Sequence, residues 1–165
     1  MPQYVPFTTP SKLEVMAAAV VAKLTAGLSG WNVKRTANVS RLGALLNQRI
    51  NWPTPAAPTV VVMRGARQMD PESDEVIGTT AQVWLVTLEL AVFVFDADEA
   101  ARAVTLDAAE VEVVNLLHQL ERDVDFAAVA YKPKFAGSTP VAVQTDGDTA
   151  PLAGTLLEVT ALVHE

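Results

Sequence analysis

Two histidines, a few clustered carboxylates and one acidic run are the groups through which this chain could act as a catalyst or a metal binder. Asp96, Asp98 and Glu99 are close enough in sequence to serve as paired carboxylates, one giving a proton while another takes one. They precede a helical pattern, however, where carboxylates favour the positive helix end, and that is the role expected of them. His118 stands near Asn115 and Arg122 in the same helical pattern and reads as a helix-surface residue, and His164 is one residue from the end of the chain, a poor base for a precise site. The run DPESDE resembles a calcium loop only superficially. Counting from Asp70, the sixth and twelfth positions hold Glu75 and Ala81 where that loop needs Gly and Glu. Ser138 has no histidine at a recognisable spacing, and neither G-x-x-x-x-G-K nor G-x-G-x-x-G occurs. The absence of cysteine removes disulfides, thiolate catalysis and Cys-type zinc sites together. No enzyme activity, cofactor or metal is expected.

The elements that would position any site begin with Ser11-Lys12-Leu13-Glu14, a capping box in which Ser accepts from a first-turn N–H and Glu reaches back. Leu13, Met16, Ala17, Val20, Val21, Leu24 and Leu28 follow at helical spacing, which predicts a helix over 11–27. WNVKRT predicts a short strand. NVSRLGALLNQRI predicts a short helix with Leu42, Leu45, Leu46 and Ile50 on one face, and the three prolines of WPTPAAPT predict an extended connector. TVVVM at 59–63 is a β-branched strand, and the polar 64–80 stretch is a long, mobile hairpin loop.

The stretch from Ala81 to Phe95, AQVWLVTLELAVFVF, has one charge, Glu89. It is too short for a membrane helix of roughly 20 apolar residues, so no membrane partner is expected. As a strand it is largely apolar on both faces and must be covered on both, by helices or by another subunit. Fifteen residues at about 3.3 Å each reach roughly 50 Å, so part of it bends or projects. Asp107 and Glu110 form a second cap signature ahead of a helix over 107–122, and strands follow at 127–132, 141–145 and 155–163. The fold class is α+β: a single domain over 1–165 with a mostly antiparallel sheet of four to five strands, a helix on either face, and a basic connecting segment at 28–58. The opening MPQYVPFTTP has neither a basic start nor an apolar block, so an intracellular product is expected.

Charge is divided along the chain. From Leu28 to Met69 there is no Asp or Glu, while Lys34, Arg35, Arg41, Arg49, Arg64 and Arg67 supply six positive charges. From Asp70 onward eighteen acidic residues face four basic ones, a formal −14. Such asymmetry fits nucleic-acid binding by a basic arm, docking of like copies basic region to acidic region, or simply an uneven solvated surface. Trp31 and Trp52 flank the basic segment, but a pI near 4.8 favours self-association over a dedicated nucleic-acid binder.

These residues carry a family likeness. PTVVVMRGARQMDPESDEVIGTTAQVWLVTLELAVFVF, then TLDAAEVEVVNLLHQL, then TLLEVTALVHE, resemble the tail terminator proteins of long-tailed bacteriophages, over about two thirds of the chain plus the first helix. The matching features are Pro58 with Val60 and Val62, the 64–80 loop, the strand from Trp84 to Phe95, Leu106-Asp107 opening a helix, and the closing strand from Thr155 to Val163. The resemblance implies a structural virion protein, assembled in the host cytoplasm into a ring, usually hexameric, that caps the tail tube, ends its growth and offers a docking face to the head-side connector or neck protein. Its partners would be other copies of the chain, the tail tube protein, the connector and, in a contractile tail, the sheath protein, with genome DNA passing through the lumen. The 31–57 segment is longer and more basic than the family's usual connection, which leaves its role open. Candidates for electrostatic docking are Arg35, Arg41, Arg49, Arg64 and Arg67. Asp70, Glu72, Asp74 and Glu75 would form a loop that orders on assembly, and Trp84 and Glu89 on the long strand would meet a neighbour. Another neck or tail-completion protein, or a small ligand-binding α+β domain, are the alternative roles.

Overall fold

The computed structural model describes residues 11–69, 83–141 and 151–164. The chain is α+β, built on a mixed, mostly antiparallel five-stranded sheet. Helix α1 spans Lys12–Gly27 and is capped by Ser11, whose hydroxyl accepts from the Glu14 N–H at 3.2 Å. The second half of the expected capping box is absent. The Glu14 carboxylate turns instead to two arginines of the sheet, Arg35 at 2.5 Å and Arg64, because charged donors outcompete the single Ser11 N–H. Strand β1 (Asn32–Arg35) follows, then the short helix α2 (Leu42–Asn47) between two 3₁₀ turns, then strand β2 (Thr59–Met69).

Strand β3 (Val83–Phe95) leads into helix α3 (Glu99–Glu121), a six-residue helix α4 (Val124–Val129), strand β4 (Tyr131–Pro140) and strand β5 (Leu152–His164). The sheet order is β1-β2-β3-β5-β4. β1 runs parallel to β2 and every other neighbouring pair is antiparallel. The β3–β5 ladder is unbroken, from Val83 opposite His164 to Phe95 opposite Leu152. The two parallel connections, β1 through α2 to β2 and β3 through α3 to β4, advance across the sheet in one direction but start from strands pointing opposite ways. Crossovers of a common hand, the right-handed preference, therefore put α2 and α3 on opposite faces.

The main core lies on the α3 face. There Leu13, Met16, Val20 and Leu24 of α1 and Val113, Leu117 and Leu120 of α3 pack on alternate residues of β2, β3 and β5, including Val60, Leu88, Leu90, Leu157 and Val159. The expectation of one long helix per face is thus corrected: α1 lies beside α3, and Gly27 gives the close approach, since a Cβ there would sit 2.4 Å from a methyl of Leu116. On the other face a smaller cluster joins Leu42 and Leu46 of α2 to Val61, Met63, Ala91 and Phe93.

Several boundaries differ from expectation for local reasons. α3 begins eight residues before Asp107, because Asp98 caps it by accepting from the Ala100 and Ala101 N–H groups. Of the strand expected over 127–132, residues 127–129 belong to α4, since Asp123 accepts from the Asp125 and Phe126 N–H groups and starts a turn of helix, while Tyr131 and Lys132 open β4. β2 continues through residues expected to be loop, paired with β3 out to Met69 opposite Trp84. Ile50 is 79 % exposed and leaves the apolar face assigned to it, because Gln48–Asn51 winds as a 3₁₀ turn and not as a continuation of α2. The expected strand at 141–145 and the rest of the 64–80 loop lie outside the described residues, Val141 and the β2 part apart.

Candidate functional site

Among the described residues, the sheet face opposite α1 and α3 is covered over only part of its length. On the covered part, Trp52, Leu152 and Leu156 pack around Phe93 and Leu42. Two cations border it: the Lys34 ammonium lies 4.8 Å from the Trp52 ring centre, and the Arg49 guanidinium sits 3.8 Å over Phe95. Burial holds the Arg49 guanidinium below its ordinary pKa, and the aromatic face beneath it offsets part of that loss of water.

Toward the start of β3 the same face presents Leu85, Thr87 and Glu89, opposite Leu162, Thr160 and Glu158 of β5. All six are half-buried. Leu85 and Leu162 belong to neither apolar cluster, so among the described residues nothing packs a core onto this half. Glu89 and Glu158 stand directly opposite each other across the two central strands. Burial first, and then the facing Glu158 carboxylate, push the Glu89 carboxyl above its usual range. At the β4 margin, Lys134 is opposite Thr160 and the exposed Tyr131 is opposite Leu162, with the Lys132 ammonium 5.3 Å from the Tyr131 ring centre.

The residues singled out in the sequence divide between the two faces. Arg35 and Arg64 point to the helix face, where both hold Glu14. Arg67 stacks 4.4 Å over Trp84, whose partly buried ring lies against the main core and whose Nε1 is buried without a hydrogen-bond partner. Glu89 is on the half-covered face. Arg41 and Arg49 flank α2 on the segment that covers that face, and Arg41 is exposed. Asp70, Glu72, Asp74 and Glu75 lie outside the described residues, in the connection between the paired ends of β2 and β3. The sequence reading missed Glu158, whose role depends on a register that no local pattern reveals.

The groups considered for catalysis have other partners. Asp96 accepts from the Asp98 N–H at 2.9 Å and Asp98 caps α3, as expected of carboxylates ahead of a helix. His118 lies 3.5 Å from Glu121 and edge-on to Phe135 on an exposed flank of α3. Among the described residues no three His, Asp or Glu side chains are grouped to hold a metal. A cleft of about 350 Å³ between α1 and α4 is lined by Val15, Ala19, Leu120 and Phe126, with Lys23 and Asp123 beside them, and the Asp123 carboxylate already caps α4. No described helix is long and apolar enough to cross a membrane.

The sheet edges are poor sites for adding another strand. β1 has four residues, and β2 beyond it carries Gly65, two arginines and a register shift. β4 has Pro133, Pro140 and two register shifts, with Lys132 and Gly137 at positive φ. Short, bulged, charged or proline-bearing edges resist edge-to-edge pairing, which leaves the half-covered face as the larger sticky surface. No protein-family model matches the chain, and no curated protein matches it.

Proposed function

We propose that this chain is a non-catalytic structural protein that assembles into a ring capping the tail tube of a long-tailed bacteriophage, ending tube growth and presenting a docking surface to the head-side connector. The supporting observation is the half-covered sheet: β3 is largely apolar on both faces, yet among the described residues α2 covers the second face over one end alone. A surface of half-buried leucine and threonine beside two carboxylates is costly to leave in water and suits burial against protein. The blunted edges direct association to faces, and closed rings form when two different faces of one molecule meet head to tail. The likeness of the sequence to tail terminators supplies the tube end as the place where such a ring works.

Native mass measured across a concentration series, with negative-stain images of the heaviest species, tests this reading. The expected result is a closed ring of about six copies of the 17.6 kDa chain that binds the ends of purified tail tubes. A monomer at every concentration that also ignores tube ends would overturn it.

A further inference from the structure

We infer that the half of the sheet on which no described residue packs a core receives the α2 segment of a second copy, with Glu89 and Glu158 facing that copy's Arg41 and Arg49. This rests on the ring reading and specifies which two surfaces meet. Two carboxylates stand opposite each other at the centre of the sheet, partly withdrawn from water, in a pairing that is unfavourable within one chain. A cation seated between them turns that repulsion into attraction to both.

The same chain carries a matching surface. Its α2 segment, from Ala37 to Pro58, has no acidic residue. Arg41 is exposed at the start of α2, and Arg49 is fixed in place over Phe95. Beside Arg49, Ile50 is 79 % exposed, the most exposed large apolar side chain of that segment, where Val39 follows at 41 %. An exposed apolar side chain next to one arginine, with a second arginine at the other end of α2, thus answers a leucine- and threonine-bearing face with paired carboxylates. Planar guanidinium groups suit carboxylates through two parallel N–H···O bonds, which fixes orientation as well as attraction.

The absence of cysteine permits a direct test on the full chain. One preparation carries Ile50→Cys and another Thr160→Cys, and each is treated with a short bis-maleimide, alone and as an equimolar mixture. The mixture should yield cross-linked pairs several-fold above either variant alone. Adding Arg41→Glu and Arg49→Glu to the Ile50→Cys chain should lower that yield several-fold, and adding Glu89→Lys and Glu158→Lys to the other chain should restore it, with circular dichroism confirming that each variant folds. A mixture no more productive than its components, or a yield indifferent to charge reversal, overturns the inference. Rings that form without the 50-to-160 cross-link would reject this pairing of surfaces and leave the ring reading standing, as they would if the carboxylate face served the tube protein. The 50-to-160 cross-link together with a native mass of the unmodified chain that never exceeds two copies would support the pairing and reject the ring.

Discussion

Glu89 sits where a solvated sheet would carry threonine or lysine, and its position has a thermodynamic signature. Its carboxyl is raised by burial and by Glu158, so between its ordinary pKa and the raised one the folded chain holds more protons than the unfolded chain. Stability of the single copy therefore falls as pH rises through that window and stays lower above it. Glu89→Gln should stabilise the isolated chain by about 0.5 kcal/mol at neutral pH, the scale of a like-charge cross-strand pair. The gain should vanish in acid, and urea titrations at two pH values would show both. Asn32 is a different kind of residue: it is 6 % exposed, and its amide donates to the Thr54 carbonyl at 2.8 Å while its oxygen accepts from the Thr54 hydroxyl at 3.2 Å. It ties the proline-rich connector to the sheet, so Asn32→Ala should cost about 2 kcal/mol in urea unfolding by orphaning buried partners.

Among the elements, β3 and β5 face each other at Phe93 and Gly154, where the ring fills the space a side chain would take. A Cβ at 154 would sit 2.5 Å from the fully buried Phe93 ring and 2.9 Å from Val141, so Gly154→Ala should lower stability by about 2 kcal/mol and Tm by roughly 4–8 °C in a thermal melt. Elements with a buried stripe or a local cap were legible in the sequence. α1 was set by Ser11 and its periodic leucines and valines, and β3 by alternation on two apolar faces. The first two turns of α3 were not, because Ala100 to Thr105 bury no side chain fully and leave no stripe to read. β4 was hidden by Pro133, Gly137 and Pro140, which an edge strand tolerates at bulges and a central strand does not. Of the candidate site, Glu89, Arg41 and Arg49 were visible as charges. Their separation from Arg35 and Arg64 was not, since which face a residue takes depends on the register and on Glu14 from a distant helix.

At the scale of the whole molecule, a basic surface and an acidic one on the same chain make association sensitive to ionic strength. The screening length falls from about 10 Å at 0.1 M salt to about 3 Å at 1 M, so charge-guided association should weaken across that range, whereas apolar contact alone would hold or strengthen. Sedimentation at several salt concentrations distinguishes the two. The unbroken ladder between β3 and β5 carries a further consequence, in mechanics. Two antiparallel strands paired from Val83–His164 to Phe95–Leu152 resist a pull along their length by loading every rung at once, whereas a pull across them peels one rung after another. In the proposed ring, a subunit oriented with β3 along the line of force would therefore resist tension better than one lying across it.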